Sequence, residues 1–328
     1  MIKIAVLGAS EIAHRMFLPA LLQNNNFECV AVAANQYDSE EKVSTFVKDY
    51  GVRVIKSDDS FEKVIMDKNI DAVYVPQPPA LHYKWASLAL KNNKHVFVEK
   101  PSTDCLMSSE DLVRLARQNS LALHENYMFQ YHSQLDTIKE IISNGKLGDL
   151  RLIKASFGFP MRTQNDFRYN KNLGGGALLD AGGYVLRLAS VLLGDTIKID
   201  TASKGDIDGF EVDMFGAFTA SNKDGLVFQG SYGMDCYYQC CLEIWGSKAK
   251  LSTGRIFTAP TNYEPIVVIE TAEGREEIKL SSDMHFAKSL KVFENAILDT
   301  EKREREYHDI ILQSSLVETV RNMWSKND

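Results

Sequence analysis

The stretch HVFVEKPST, residues 95–103, places a charged side chain where a buried strand ends. HVFV has the apolar composition of a short buried strand, so Lys100 is expected at the point where the chain leaves the sheet. Pro101 holds the backbone of Lys100 extended and removes the next donor of the strand ladder. A lysine in this position either caps the strand in solvent or points its ammonium group into a cleft. In a cleft it can polarise a carbonyl oxygen on which negative charge develops.

A second group of candidates lies in GGGALLDAGGYVLRLA, residues 174–189. The spacing predicts a helix on which Asp180 and Tyr184, four residues apart, share one face. Gly182 and Gly183 lie inside this helix, where each costs about 1 kcal/mol relative to alanine. A helix that tolerates them has something pressed against its backbone, which is either the neighbouring sheet or the ring of a ligand. We favour the ligand, because the chain also carries Lys100 and a dinucleotide-type turn.

Reduction of a ketone requires groups of these types. Hydride transfer makes the carbonyl oxygen negative, so a cation must stabilise that charge and a donor must finally protonate the oxygen. We expect Lys100 to polarise the oxygen, Tyr184 to donate or accept the proton, and Asp180 to orient either partner or a substrate hydroxyl. Glu99 precedes Lys100 and is therefore expected on the other face of the strand.

The first strand, KIAVLG, ends in a turn that could hold a nicotinamide dinucleotide. Gly8 permits a tight turn, and the amides at the start of the next helix can face a pyrophosphate. The three glycine positions of the usual fingerprint hold Gly8, Ser10 and Ala13, and an ordinary α/β turn is the alternative. Ser10 is small enough to let a phosphate approach. The side chain of Glu11 would repel that phosphate and is expected to point to solvent.

The tip of the second strand bears on the choice of cofactor. It reads VAVAANQYD, so Ala34 and Asn35 stand where a carboxylate would accept the adenosine ribose hydroxyls of NAD. No arginine stands there to mark NADP. The cofactor is therefore predicted to be NADP or NAD, with NADP slightly favoured.

The elements that must position these residues form two patterns. Residues 1–125 alternate apolar strands with amphipathic helices, which predicts a doubly wound parallel sheet, a Rossmann domain that binds the dinucleotide. Residues 126–328 contain a helix, a polar loop and then strand after strand. They predict an α+β domain with a large, mostly antiparallel open sheet for substrate binding and oligomerisation. Apolar positions such as Val227, Tyr237 and Ile244 are expected on its exposed face, which predicts that the protein self-associates.

The composition limits the possible partners. The chain has 328 residues, a net charge of -7 and no basic run, which argues against nucleic acid. No apolar run approaches the roughly 18 residues of a membrane span. The N-terminus does not have the form of a signal peptide. No metal-like spacing of ligands is present, and five cysteines without such spacing are expected to be reduced thiols of a cytoplasmic protein.

The chain resembles the Gfo/Idh/MocA oxidoreductases in GASEIA, QPPALHYKWASLALKNNKHVFVEKP, ENYMFQYH and GGGALLDAGGY. The resemblance implies a Rossmann domain followed by a mainly antiparallel sheet domain, with the nicotinamide between them. It implies NAD(P)-dependent oxidation or reduction of a sugar, a polyol or a related carbonyl, and a cis Lys100–Pro101 bond. It also implies a homodimer or homotetramer that pairs the second-domain sheets. WGSKAKLSTGRIFTAP and FRYNKNLGGGALLDAGGYVLRLA are most similar to reductases of 3-keto groups on nucleotide-linked deoxysugars.

The turn and the resemblance together give two sets of predicted contacts. The predicted cofactor-binding residues are Gly8, Ser10, Glu11, Ile12, Asn35, Pro76, Gln77, His82, Glu99, Lys100 and Arg168. The predicted substrate-binding residues are Lys100, Tyr127, Asp180 and Tyr184. His82 has helix capping as an alternative role, and Arg168 has a surface salt bridge. Two positions depart from the family pattern, because Ser10 replaces a glycine and Tyr184 a common histidine; the tyrosine form also occurs in the family.

Two other classes of function compete with an enzyme. The chain could be a ligand sensor that binds a dinucleotide without turnover, as one galactose-pathway repressor of this fold does. It could also be a structural protein built on an inactive Rossmann fold. Lys100, Asp180 and Tyr184 favour the enzyme, because a sensor has no need of an acid–base pair.

Overall fold

The computed structural model describes residues 1–324. The described chain divides into two compact units: one comprises residues 1–126 and 286–311, and the other comprises residues 127–285 and 312–324.

The first unit is built on a six-stranded parallel sheet in the order β3-β2-β1-β4-β5-β6. Its strands are β1 (Ile2–Leu7), β2 (Phe27–Ala34), β3 (Val54–Lys56), β4 (Ala72–Val75), β5 (His95–Glu99) and β6 (Leu123–Asn126). Its helices are a π-helical turn (Ala13–Phe17) continued by α1 (Leu18–Leu21), then α2 (Glu40–Tyr50), α3 (Ser60–Met66), α4 (Pro79–Lys91) and α5 (Leu106–Gln118). Strands β4 and β5 are almost completely buried, as expected of strands covered on both faces.

The strand order reverses between β1 and β4, so the loops that follow these two strands leave the same edge of the sheet in opposite directions. In open α/β sheets such a reversal opens a crevice in which ligands bind. Gly8 follows β1 and Pro76 and Gln77 follow β4, so three predicted cofactor contacts lie at this switch point.

The predicted division at residues 125 and 126 is wrong for one segment near the end of the chain. Residues 286–311 belong to the first unit, not to the second. This segment spans most of α8 (His285–Leu298) and the first part of α9 (Thr300–Trp324). The rings of Phe286 and Phe293 lie 6.0 and 5.4 Å from that of Phe97 on β5. The helical pattern predicts an apolar face but does not reveal which sheet that face covers.

The second unit contains an eight-stranded sheet in the order β14-β13-β12-β11-β7-β10-β9-β8, in which only β7 and β10 pair in parallel. Its strands are β7 (Leu150–Phe159), β8 (Lys198–Gly205), β9 (Phe215–Ser221), β10 (Val227–Met234), β11 (Gln239–Gly246), β12 (Lys250–Gly254), β13 (Ile266–Thr271) and β14 (Gly274–Lys279). Its helical elements are 3₁₀ turns at Met128–Tyr131, Phe167–Tyr169 and Lys171–Leu173, α6 (Ser133–Ser143), a π-helical turn (Leu178–Gly182) and α7 (Gly183–Leu193). The predicted fold class is confirmed.

The exposed face of this sheet differs from the prediction. Ile244 is fully buried, because its side chain points to the face that α7 covers. Tyr237 lies in the turn after β10 and outside any strand. The exposed face instead carries small polar pairs, with Ser156 and Ser231 joined at 2.7 Å. The alternation of a strand fixes which residues share a face, but not which face is covered.

One stretch of the described chain, Lys171–Leu193, has the length and hydropathy of a membrane span, contrary to the expectation that no such stretch exists. Its 18-residue window is 89% buried inside the protein. Within this structure it is the core helix of the second unit.

Candidate active site

The turn after β1 requires glycine for two reasons. Gly8 has φ 124°, a conformation that other residues rarely adopt. A Cβ at this position would lie 2.1 Å from Nε2 of Gln77. That amide nitrogen donates to the carbonyl oxygen of Leu7 at 2.5 Å. The ends of β1 and β4 are thereby tied together at the switch point.

Ser10 caps the helix that follows this turn. Its hydroxyl oxygen accepts a hydrogen bond from the amide of Ala13 at 3.2 Å. The carboxylate of Glu11 is exposed and pairs with Arg15 at 2.5 Å, so it points to solvent as predicted. Ile12 is half-buried within the same first turn. The first turn of this helix thus carries no carboxylate directed back towards Gly8.

The tip of β2 holds an acid that the sequence analysis did not identify. Asp38 accepts a hydrogen bond from the backbone amide of Asn35 at 2.9 Å, and its other oxygen pairs with Lys42 at 2.8 Å. The chain therefore folds back at Asn35 and brings one carboxylate and one ammonium group to this tip. The sequence feature that could have revealed Asp38 is an Asn–x–x–Asp turn immediately before Ser39, the N-cap of α2.

His82, in the first turn of α4, connects two predicted site loops. Its Nδ1 lies 2.7 Å from the carbonyl oxygen of Pro101, and its Nε2 lies 2.5 Å from that of Gln77. The ring is fully buried, and burial lowers the pKa of His82 to about 4. The ring thus lies between the carbonyl of Pro101, the residue after Lys100, and that of Gln77, the residue that abuts Gly8. This is neither of the roles considered for it from the sequence.

Lys100 follows β5 at the predicted position. The Lys100–Pro101 peptide bond is cis, as the family resemblance implies. Glu99 points into the unit, where its carboxylate accepts from the Tyr74 hydroxyl at 2.8 Å and from Nδ2 of Asn126 at 2.7 Å. Burial raises the pKa of Glu99. Its carboxylate is committed to these partners, so it supports the strand from which Lys100 leaves.

In the second unit, Asp180 lies in the π-helical turn and forms an ion pair with Arg168. Nε of Arg168 donates to Asp180 at 2.7 Å, and Nη1 donates to Asp166 at 3.0 Å. All three side chains are mostly shielded from solvent. The pair corresponds to the salt-bridge alternative considered for Arg168, although it is largely buried and includes a candidate catalytic residue.

The ring of Tyr184 packs in an aromatic cluster of its own unit. The rings of Phe157, Tyr127, Phe129 and Phe257 lie 5.2, 5.4, 5.7 and 6.1 Å from it. Tyr184 is 7% exposed. The cluster restricts the ring and so fixes the direction of its hydroxyl.

The two glycines inside this helix are explained by packing, and the interpretation that favoured a ligand ring is wrong. A Cβ on Gly183 would lie 2.3 Å from the hydroxyl oxygen of Tyr127, and one on Gly182 would lie 3.1 Å from the ring of Tyr232. Tyr127 is fully buried and accepts a hydrogen bond from Gln313 at 3.3 Å. Tyr127, which was predicted to contact the substrate, therefore packs against the helix at Gly183.

Asp213 is a further residue that the sequence analysis missed. Its carboxylate accepts from the amide of Leu178 at 2.7 Å, and its carbonyl accepts from Ala177 at 2.8 Å. It therefore caps the π-helical turn that carries Asp180. Gly176 lets it approach, because a Cβ there would lie 2.3 Å from the carboxylate. Burial raises the pKa of Asp213 to about 6.

Within residues 1–324, no group of three or more histidine, cysteine, aspartate or glutamate side chains is arranged to hold a metal ion.

Two family models match the chain. One, described as an oxidoreductase family with an NAD-binding Rossmann fold, covers residues 2–127. The other, the GFO/IDH/MocA C-terminal domain, covers residues 135–252. The chain belongs to the Gfo/Idh/MocA oxidoreductase family. The predicted family, the enzyme class and the NADP or NAD cofactor are confirmed.

Several relatives of this Gfo/Idh/MocA protein are similar over nearly its whole length. A dTDP-3,4-didehydro-2,6-dideoxy-alpha-D-glucose 3-reductase from Actinomadura kijaniata is 34% identical over 320 residues, 98% of this chain and 95% of that protein. A reductase of the same name from Saccharopolyspora spinosa is 33% identical over 292 residues, 89% of this chain and 86% of that protein.

The solved structure of KijD10, a 3-ketoreductase from Actinomadura kijaniata in complex with NADP and TDP-benzene, superimposes with a TM-score of 0.92 at 33% identity. The superposition covers 98% of this chain and 98% of the KijD10 chain. Solved variants of KijD10 include substitutions of one lysine and of one tyrosine.

The Rossmann unit of this Gfo/Idh/MocA oxidoreductase fits a nicotinamide dinucleotide on its own geometry. Gly8 has the positive φ that the tight turn at the switch point requires, and the Ser10-capped helix starts beside it. The residues that would hold the pyrophosphate are Gly8, Ser10 and Ile12, through the positive end of the helix. Glu99 and His82 are both buried, so they would support this surface from inside the unit and would not contact the cofactor directly.

Proposed function

We propose that this protein is an NADP-dependent reductase of a keto group on a nucleotide-linked deoxysugar. The observation that carries the proposal is near-full-length similarity to dTDP-sugar 3-reductases, combined with the presence of Lys100, Asp180 and Tyr184 in this chain. The KijD10 complex with NADP and TDP-benzene supports the same substrate class.

The bound nicotinamide would supply the hydride, and the protein must manage the charge on the substrate oxygen. Lys100, held where β5 ends, is proposed to polarise that oxygen with its ammonium group. Tyr184 is proposed to deliver the proton, because its ring is fixed by four aromatic neighbours and its hydroxyl can donate.

Asp180 is proposed to orient the substrate or Tyr184. The guanidinium of Arg168 neutralises much of its charge at 2.7 Å. Arg168 is thus a positioning residue for Asp180, and the sequence-based proposal of a cofactor phosphate contact gives way to this role. The cap at Asp213 fixes the helical turn from which Asp180 projects.

A spectrophotometric assay at 340 nm tests the function. NADPH should be oxidised with a dTDP-linked 3-keto deoxysugar and much more slowly with free ketoses, aldoses and inositols. Turnover with free sugars alone would contradict the nucleotide-sugar proposal. Tight NADPH binding without turnover on any of these substrates would favour the sensor, which was the alternative from the sequence.

Cofactor preference is a separate proposal. NADP is expected to be used as well as or better than NAD, because the carboxylate of Asp38 at the tip of β2 is occupied by an amide and by Lys42. Comparison of kcat/KM for the two cofactors tests this. A preference for NAD above about a hundredfold, or 2.7 kcal/mol, would show that a carboxylate accepts the ribose hydroxyls.

We further propose that the first unit binds the cofactor, that the second binds the substrate, and that two copies associate through the exposed face of the eight-stranded sheet. This face carries small hydroxyl side chains that can approach a second sheet closely. Ser231→Arg should reduce the mass measured by light scattering to the 36.9 kDa monomer, whereas Ser44→Arg on α2 should not. A wild-type mass of one chain at micromolar concentration would contradict the proposal.

A further inference from the structure

Two arginines of the second unit have no acidic partner. Among residues 1–324, no carboxylate oxygen lies within 4.0 Å of a side-chain nitrogen of Arg162 or Arg255. The chain carries an excess of acidic groups, with a net charge of -7. In such a chain, arginines that remain unpaired at one place are available for an anion that the protein itself does not supply.

Arg255 is held in a defined position. Its φ is 48°, a left-handed conformation that residues other than glycine rarely adopt. Its guanidinium lies 5.1 Å from the ring of Tyr238 and 5.8 Å from that of Tyr263, and Nη1 donates to the Tyr238 hydroxyl at 3.3 Å. Tyr238 is in turn within 3.0 Å of the Thr258 hydroxyl. These cation–π contacts and the single hydrogen bond hold the guanidinium in place and leave most of its donors unused.

Arg162 lies at the same edge of the sheet. Strands β7 and β12 run in the same direction, because each pairs antiparallel with β11 between them. Arg162 follows the end of β7 and Arg255 follows the end of β12. The guanidinium of Arg162 lies 5.3 Å from the ring of Phe159, and its backbone amide donates to the Tyr169 hydroxyl at 2.8 Å.

Aromatic contacts connect this edge to Tyr184. The ring of Phe159 lies 5.9 Å from that of Phe157, which lies 5.2 Å from the ring of Tyr184. Phe257, two residues after Arg255, lies 5.3 Å from Phe157. The two unpaired arginines therefore flank the cluster that positions the proposed proton donor, and all of these residues belong to the same unit.

We propose that Arg255 and Arg162 bind the diphosphate of a nucleoside diphosphate-linked substrate. The assignment rests on the proposed function. A diphosphate carries two adjacent anionic groups, and a guanidinium offers paired donors that match phosphate oxygens. A free sugar would have no use for two unpaired arginines beside the reacting centre. The arrangement thus accounts for selection of a nucleotide-linked sugar over a free one.

The test measures binding of dTDP by calorimetry to the full-length protein saturated with NADP⁺, so that the dinucleotide site is filled. Arg255→Gln and Arg162→Gln should each weaken dTDP binding about tenfold or more, and Arg255→Lys should lose less because it keeps the charge. The KM for the nucleotide sugar should rise by a similar factor, with kcat within about threefold of wild type. The control is Arg275→Gln, which removes an exposed arginine of β14 paired with Glu277 and should change neither value.

The outcomes separate the two proposals. If the wild-type protein binds dTDP and both Arg255→Gln and Arg162→Gln bind it with a Kd within twofold of wild type, the assignment of the arginines is overturned while the proposed function stands. A wild-type protein that binds NADPH but neither dTDP nor the dTDP-linked sugar would overturn the proposed function, and the arginine assignment with it. A fall in kcat with no change in dTDP affinity would also contradict a binding role.

Discussion

Gly183→Ala tests whether the helix that carries Tyr184 needs its glycines for packing. An added Cβ would lie 2.3 Å from the hydroxyl oxygen and 3.3 Å from Cζ of Tyr127. Ordinary contacts are about 3.5–4.0 Å, so the Tyr127 ring would have to retreat by about 1 Å or more. Tyr127 is fully buried, and Gln313 holds both its hydroxyl and the carbonyl of Gly183.

The magnitude follows from two opposing effects. Overpacking a well-packed site costs about 1–3 kcal/mol, and replacing glycine by alanine inside a helix returns about 1 kcal/mol. The difference is a loss of up to about 2 kcal/mol in the free energy of unfolding, and the 2.3 Å approach to the buried Tyr127 hydroxyl places Gly183→Ala towards that upper end. Urea unfolding followed by circular dichroism measures this change. Gly254→Ala is the control, because no atom lies within 4 Å of its added Cβ, and it should fall within about 0.5 kcal/mol of wild type.

A double-mutant cycle decides the cause. Tyr127→Phe removes the atom that the new Cβ meets first, so the cost of Gly183→Ala should be about 1 kcal/mol smaller in that background. The affinity for NADPH should be the same in all four proteins. A Gly183→Ala protein of unchanged stability but weakened NADPH binding would refute the packing account and restore the interpretation in which a ligand ring touches the helix.

Three other predictions concern single residues. Ser10→Asp should keep the helix cap, since aspartate also caps, but should weaken NADPH binding tenfold or more in a fluorescence titration by placing charge beside the phosphate; unchanged affinity would place the phosphate elsewhere. Tyr184→Phe should remove the limb of the kcat–pH profile that belongs to the proton donor, and a profile that keeps both limbs would exclude this role. Folding lowers the pKa of His82 from 6.5 to about 4, so as the pH drops the unfolded chain binds a proton at a higher pH than the folded one does. The free energy of unfolding should therefore fall by about 3 kcal/mol as the pH drops from 6.5 to 4. His82→Gln should remove most of that loss in urea titrations at pH 6.5 and 4.5, and an unchanged pH dependence would contradict it.

Much of the first unit could be predicted from the sequence because its signals are local. Strand–helix alternation, the glycine turn at Gly8 and the EKP triplet all depend on residues close together in the chain. Lys100 accordingly lies where its strand and proline imply. The role of His82 depends instead on Pro101 and Gln77 reaching its ring from two different loops. No pattern within α4 reports that arrangement.

The second unit shows why the remaining features could not be predicted. Gly183 is required by Tyr127, 56 positions earlier in the chain, so its own helix gives no indication of what presses on it. The Asp213 cap similarly comes from a loop before another strand. The alternation of β11 fixes which residues share a face with Ile244 but not which face the helix covers. These contacts join distant segments, and only the fold reveals them.

The central claim is that Lys100 polarises the carbonyl oxygen of a nucleotide-linked keto sugar. Its most direct test is the steady-state rate of Lys100→Met with NADPH and a dTDP-linked 3-keto deoxysugar, because methionine keeps much of the side chain's length and removes the charge. The account predicts a fall in kcat of about 10²–10⁴ with NADPH affinity unchanged. A Lys100→Met protein that turns over the sugar at a near-normal rate would contradict it.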